Sequence, residues 1–448
     1  MEIKGIPEYV KDGLRTLQSQ GYQAYLVGGS VRDLCMGLIP KDFDLCTDAL
    51  PEDIERVFAE SPHKTYGKKH GTVGVLLEGH WVEITTYRSD GKYRDHRRPD
   101  DVIFTRNLNE DLKRRDFTIN AMALDLEGNL IDLFNGLDDL ENQIIRCVNV
   151  ANERFSEDAL RILRALRFAS RFGFHIENDT ADAIHRYAYL LNEVASERIR
   201  DELSGILLGK DAVKILVDYD DVIGLLIEPL EDARGFVQFN PNHYEDVYHH
   251  TLRVLSFTEP DLTLRLSALL HDLAKTSGLT LNPDGIAVYE HHAQQSAIQA
   301  IEVCAKLRFD KKTQHDVGEI IALHETSFPE RISEMCRWIA KTGEKVLLLA
   351  IRLRECDLLS MTGDQSRKLE NCAIARGLIF EIKNRNVPYQ VKHLAINGED
   401  LLKLGYKGPV IQRILENALT FVLENRVENR HDALLAILPA LDMPNEKQ

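Results

Sequence analysis

Apolar residues in the first third of the chain come in short runs. Ala24-Tyr25-Leu26-Val27, residues 72–77 and residues 82–86 read as strands, and a helical pattern covers 51–58 between them. From about residue 150 onward nearly every segment has helical character. Long amphipathic patterns run over 150–207, and a second helical block continues to Gly235-Phe236-Val237-Gln238-Phe239-Asn240-Pro241-Asn242, whose Gly, Asn and Pro punctuate the chain. The pattern predicts a mixed α/β head over residues 1 to about 145, helices from about 150 onward, and a new helical domain starting just beyond Asn242.

Composition narrows the class. A chain of 448 residues, 44% of them hydrophobic, exceeds one ordinary core and implies three or four domains. The seven cysteines are scattered, odd in number and form no C-x-x-C pair, which argues against a disulfide framework or zinc knuckle and for a reducing cytoplasm. The N-terminus has no signal-peptide pattern and no apolar run is long enough to span a bilayer, so a membrane protein is not expected. A formal charge of −16 opposes nonspecific binding to polyanions, so nucleic acid must be met by local basic surface. Arg94, Arg97 and Arg98 crowd one segment and Lys113, Arg114 and Arg115 another. Arg161, Arg164, Arg167 and Arg171 recur at helical spacing as a basic stripe.

The densest chemistry lies in Gly28-Gly29-Ser30-Val31-Arg32-Asp33 followed by Lys41-Asp42-Phe43-Asp44-Leu45. Two glycines directly after a buried strand let the backbone approach a triphosphate, and Arg32 stands ready to grip phosphate. Asp42 and Asp44, two apart on a strand, present both carboxylates to magnesium, the hard, oxygen-preferring cation expected here. Paired ions of this kind stabilise an attacking hydroxyl and a leaving pyrophosphate together. Glu83, within the predicted 82–86 strand, is the candidate third carboxylate.

A base reader follows. The stretch from Arg154 to Ala165 reads as one helix, which makes Asp158 and Arg161 neighbours at i, i+3. Taken alone, they would be an ordinary helix ion pair. Beside a triphosphate site they match the edge that cytosine and adenine share, Asp158 accepting from the exocyclic amino group and Arg161 donating to the ring nitrogen. Guanine and uracil would leave each group unsatisfied, at roughly 1 to 3 kcal/mol apiece. In Arg114-Arg115-Asp116-Phe117-Thr118-Ile119-Asn120, Arg115 is placed for phosphate and Asp116 or Asn120 for a sugar hydroxyl.

These segments resemble the class II CCA-adding tRNA nucleotidyltransferases of the polymerase beta superfamily, which are also similar to bacterial poly(A) polymerases. Residues 28–44 resemble the family's metal motif, 114–121 its ribose motif, 157–161 its amino-acid template and 196–203 its next helical motif. The resemblance implies an α/β nucleotidyltransferase head (1–145) followed by a mostly α-helical neck (146–215), HD domain (240–365) and tRNA-binding tail (366–448). It implies template-independent addition of CCA to tRNA from CTP and ATP. Residues 88–99 resemble the flexible loop used for the switch from CTP to ATP, and 396–402 and 405–409 resemble the tail, although Gln412 stands where relatives often have glycine. A dedicated A-adding enzyme and a poly(A) polymerase are the alternatives within the family. The latter commonly carries a basic C-terminal extension, whereas this sequence ends Pro444-Asn445-Glu446-Lys447-Gln448. A noncatalytic RNA-binding module is the alternative outside enzymes.

His250, His271, Asp272, His292, His324 and Asp357 resemble the ligand order of an HD phosphohydrolase, with His249 and His291 as competitors for two positions. The resemblance implies an unidentified divalent metal and phosphatase or phosphodiesterase activity on nucleotides or RNA ends. A degenerate, inactive HD fold is the alternative.

Overall fold

The computed structural model describes residues 3–65, 67–90, 102–239, 245–283, 287–424 and 426–442. Most of the loop read over 88–99, with Arg94, Arg97 and Arg98, lies outside the described residues, as do residues 240–242 and the terminal 444–448. The chain divides into two compact units, Met1–Glu231 and Asp232–Gln448.

In the first unit a seven-stranded mixed sheet runs in the order His63–Lys64, Thr72–Leu77, His80–Thr86, Asp44–Thr47, Ala24–Val27, Met122–Leu124 and Leu130–Asp132. Neighbours are antiparallel except for Asp44–Thr47 beside His80–Thr86, which run parallel. Alternation decides the faces: Val73, Val75, Val82 and Ile84 are buried, while Trp81 and Glu83 between them are exposed. The predicted helix near 51–58 forms as Pro51–Val57, with proline in the first turn, where its missing N–H costs no intrahelical bond.

Beyond the sheet the first unit is helical, including Ala151–Glu157, Leu160–Phe172, Asn178–Tyr187 and Ser196–Leu207. Ile144–Ile145 pairs in parallel with His175–Ile176, so the end of the head is stitched to the helices that follow within one unit. The second unit is built from helices, chiefly Val247–Ser256, Leu262–Leu270, His292–Lys306, Lys311–Leu323, Ile332–Thr342, Glu344–Ser360 and Ser366–Asn384, with, among the described residues, a small ribbon of Thr280–Leu281 against Ala287–Val288. Toward its end, Gly398–Lys403, capped by Asn397 and Asp400 in a capping box, and Pro409–Leu423 gather Leu401, Ile414, Leu415 and Leu434 into a separate apolar cluster. No described helix is long and apolar enough to cross a membrane. All seven cysteines are unpaired.

Candidate functional site

The Ala24–Val27 strand ends in Gly28, whose backbone adopts φ +74° before the Gly29–Cys35 helix begins. Glycine takes that conformation without strain, and here it also leaves room: a Cβ on Gly28 would stand 3.2 Å from Arg115 Nη1. Across the sheet, Val27 pairs with Asp44 and Asp44 pairs with Glu83. Asp42 lies just before the strand that opens at Asp44, not on it, but the alternation holds, since Phe43 and Leu45 are buried and both aspartates exposed. Partial burial pushes the Asp44 pKa up to about 6, with Glu83 and Asp42 adding to the rise and Arg115 opposing it. Carboxylates that raise one another's pKa suit a cation, which would draw together three groups that here do not all lie within 4.8 Å of one another.

The other head residues form one chain of contacts. Arg32 is buried and donates from Nη1 to Asn120 Oδ1 (2.7 Å) and from Nε and Nη2 to Asp33 Oδ1 (2.9 and 2.6 Å). Its guanidinium also lies over the rings of Phe168 and Phe172. Asn120 Nδ2 donates to Asp116 Oδ1 (3.2 Å), and Arg164 Nε donates to Asp116 Oδ2 (2.8 Å). Burial would raise the Asp116 pKa, but Arg164, Asn120 and the Phe117 N–H outweigh it and bring it down to about 2. Arg32 and Asn120, read as phosphate and ribose contacts, are therefore already engaged with protein. Arg115 donates to Asp111 Oδ2 (3.1 Å), and its Nε is buried without a hydrogen-bond partner.

The continuous helix expected over 154–165 breaks. Ala151–Glu157 stops, Asp158 is extended (φ −139°, ψ 102°), and Leu160–Phe172 starts afresh. The cause is the aspartate itself: its Oδ1 accepts the Leu160 N–H (3.1 Å), a local bond that competes with the helix. Asp158 and Arg161 are joined through the backbone, the Arg161 N–H donating to the Asp158 carbonyl (3.0 Å), while their side chains turn to other partners. Asp158 accepts from Arg198 Nη2 (3.0 Å) and Nη1 (3.4 Å), whereas Arg161 Nη1 donates to Glu157 Oε2 (2.6 Å) and Nη2 to the Arg114 carbonyl (3.1 Å). Arg198 was visible only as part of the 196–203 motif, because its partner lies 40 residues away. The basic stripe is likewise largely neutralised: Arg161 meets Glu157, Arg164 meets Asp116 and Arg167 meets Glu202.

In the second unit all six residues of the expected metal set are gathered and buried. Their order hides the logic, which lies in the far side of each ring. Nδ1 of His271, His292 and His324 donates to the carbonyls of Ala268 (2.9 Å), Tyr289 (2.9 Å) and Ile321 (2.7 Å). The Ser360 hydroxyl donates to the Asp357 carbonyl (2.6 Å), so His250 Nδ1 donates to Ser360 Oγ at 3.2 Å. Each ring is thus oriented as a metal-ligating histidine is oriented by its outer partner, with Nε2 turned inward. His250 Nε2 lies 3.4 Å from Asp272 Oδ2 and 3.1 Å from Asp357 Oδ1, and His292 Nε2 lies 3.5 Å from Asp272 Oδ1.

Buried His271 Nε2, Asp272 Oδ2 and Asp357 Oδ1 meet one another, His250 and Lys275 only as close charged contacts without well-aligned hydrogen bonds, an arrangement a cation would complete. Among the described residues, two groups of three donors fall within 4.8 Å of one another, His250–His271–Asp272 and Asp272–His292–His324, and Asp272 belongs to both. His249 instead pairs with Asp246 at the helix start, outside both groups, and His291 belongs to neither. Burial opposes charge on His271 and His292, but the Asp272 carboxylate outweighs it and raises both. His324 is pushed down to about 3 by burial and by neighbouring His271. Lys275, part of the His271-Asp272-Leu273-Ala274-Lys275 run, places Nζ 2.7 Å from Asp272 Oδ2.

Known protein families and relatives match the chain along most of its length. The family model described as the Poly A polymerase head domain matches residues 24–146, that of the probable RNA and SrmB-binding site of polymerase A matches 173–221, and that of tRNA nucleotidyltransferase domain 2 matches 284–438. The CCA-adding enzyme of Lactobacillus helveticus is 33% identical over 442 residues, covering 96% of each chain. That of Lactiplantibacillus plantarum is 34% identical over 430 residues, covering 94% of this chain and 93% of its own. A crystal structure of the Bacillus stearothermophilus CCA-adding enzyme in complex with CTP superposes with a TM-score of 0.68 at 29% identity, covering 97% of this chain and 96% of that one.

Proposed function

This chain belongs to the CCA-adding enzyme family, a family of tRNA nucleotidyltransferases, and on that premise we propose that it completes tRNA 3′ ends with C, C and A from CTP and ATP, without a nucleic-acid template. The observation that carries the reading is the in-register row Val27, Asp44, Glu83 directly behind the left-handed Gly28 turn backed by Arg115. Asp42 and Asp44 are the residues that would hold magnesium, with Glu83 as the third carboxylate. The ion, when bound, supplies positive charge to the triphosphate and the attacking hydroxyl.

In the reaction the tRNA 3′-oxygen forms a bond to the α-phosphorus, the bridging bond to the β-phosphate breaks, and pyrophosphate leaves. Gly28 and Gly29 keep the backbone open to the triphosphate, and Arg115, whose Nε is unpartnered, faces it. Arg32 contributes by exchanging one of its present contacts for phosphate. Asp116 and Asn120 serve the ribose. Asp158, turned out of the helix and held by Arg198, accepts from the exocyclic amino group of cytosine or adenine, while Arg161 donates to the ring nitrogen. Residues 1–145 act as catalytic head, 146–215 as neck and 366–448 as the tail that contacts tRNA. The unpaired cysteines support a cytoplasmic setting.

Incubation with magnesium, labelled CTP and ATP and a trimmed tRNA tests this. CCA ends are expected. Long A tails would indicate a poly(A) polymerase, A alone on a CC end an A-adding enzyme, and no incorporation an RNA-binding module.

The histidine centre supports a second activity, metal-dependent hydrolysis of phosphate esters on nucleotides or RNA ends by residues 240–365. His250, His271, Asp272, His292, His324 and Asp357 are the residues that would hold a divalent metal, which would supply charge to polarise a phosphate ester, and Asp272 belongs to both donor groups. Metal analysis of the purified protein tests the assignment: Asp272→Asn is expected to lose the bound metal and the phosphohydrolase activity, and His324→Ala to bind the metal more weakly. Full activity in metal-loaded Asp272→Asn would defeat it.

A further inference from the structure

We propose that the open face of the head sheet carries a seat for the last base and phosphate of the RNA 3′ end, built from Trp81 and Lys64. The inference rests on RNA being the acceptor, as argued above. Pairing registers align Asp44, Glu83, Gly74 and Lys64 in a single row across four strands. Trp81 is two residues before Glu83 on the same strand and therefore on the same face, about 7 Å along it. The face that presents the carboxylates thus continues outward to an aromatic ring and a cation.

Three features mark this patch as a site. Trp81, one of only two tryptophans in the chain, is 44% exposed, although a ring of that size is ordinarily well covered. Lys64 Nζ stands 3.8 Å from the Trp81 ring centroid, and among the described residues it has no carboxylate partner. Gly74 puts no side chain between Trp81 and Lys64: a Cβ there would touch both, 3.8 Å from Trp81 Cε3 and 3.6 Å from Lys64 Cβ, and a larger side chain would crowd them.

An exposed aromatic face with a movable ammonium is chemistry for single-stranded nucleic acid, since every base has a π face and every linkage a negative phosphate. A base stacks on such a ring more strongly than an exposed ammonium does. The incoming base takes the ring, and Lys64 is released to the adjoining phosphate. The 3′-hydroxyl then lies on the Glu83 side of the seat, beside the carboxylates. A ring and lysine that only shield the sheet would lack this coupling.

The test compares wild type with Trp81→Leu, Trp81→Phe and Lys64→Met on a tRNA ending in CC, with thermal midpoints to confirm folding. Trp81→Leu should raise KM for the tRNA about ten-fold and leave KM for ATP unchanged, and Trp81→Phe should recover most of the loss. Lys64→Met should reduce the salt slope of tRNA binding by about one counterion. In a Trp338→Phe background, an oligonucleotide ending in CC should quench the remaining tryptophan fluorescence. Unchanged tRNA KM in both Trp81 variants, with no quenching, overturns the seat while leaving nucleotide addition intact. A wild type that adds no nucleotide removes the acceptor reading and the seat together.

Discussion

Asp158→Asn changes one oxygen into an N–H₂ at nearly constant shape, and its outcome follows from the hydrogen bonds around that carboxylate. Of about four lone-pair sites on a carboxylate, the described contacts use two on Oδ1, from the Leu160 N–H and Arg198 Nη1, and one on Oδ2, from Arg198 Nη2. One site on Oδ2 is left for an amino group of the incoming base. In the asparagine variant the amide oxygen stays with the Leu160 N–H and Arg198, so the N–H₂ turns toward the base and meets a carbonyl better than an amino group. The hydrogen bond lost with CTP is charge-assisted, worth about 1.5–3 kcal/mol, so discrimination for CTP over UTP should fall by roughly 10- to 150-fold. Single-nucleotide incorporation into a tRNA lacking CCA, with kcat/KM for CTP and UTP measured separately, checks this. An unchanged ratio, with both constants reduced together, would refute the base-reading role.

Further expectations concern the head. Because the Asp44 pKa is raised to about 6, protons compete with magnesium below that pH, so the magnesium requirement for incorporation should rise steeply from pH 6 downward and flatten above it; Glu83→Gln should move the onset to lower pH. Gly28→Ala imposes a side chain at φ +74° and a Cβ 3.2 Å from Arg115 Nη1, so it should lower the thermal midpoint by roughly 1–2 kcal/mol worth of stability and reduce kcat/KM for CTP at least ten-fold. Asp116 is held near 2 against an ordinary 3.8, so its ionised form stabilises the fold by about 2 kcal/mol above pH 4, and that contribution is lost as pH falls toward 2. Asp116→Asn should therefore be destabilised at pH 7, with the gap from wild type narrowing below pH 4 in thermal melts.

Local rules carried the sequence far where the chemistry is local. The strand over 24–27, the glycine turn, the alternation through Asp42 and Asp44 and the helix at 51–57 each depend on residues within a few positions, and each is legible there. The histidine set was readable as an order of candidate ligands, but the outer bonds that orient the rings, such as His250 to Ser360, come from residues with no special pattern. Asp158 misled because its neighbours favour helix, while its own side chain bonds the Leu160 N–H and an arginine distant in sequence. The stripe from Arg161 to Arg171 forms on one helix as its periodicity implies, but periodicity does not show that Glu157, Asp116 and Glu202 meet three of its arginines. Arg32 shows the same limit, since Asn120, its hydrogen-bond partner, is 88 residues away.

The most direct measurement is single-turnover extension of a trimmed tRNA by the wild type and by the Asp42→Asn, Asp44→Asn double variant, in magnesium with CTP and ATP. Loss of extension by at least a thousand-fold, with tRNA binding retained, is the predicted result. Extension by the double variant at the wild-type rate would contradict the central claim that these two carboxylates hold the catalytic cation.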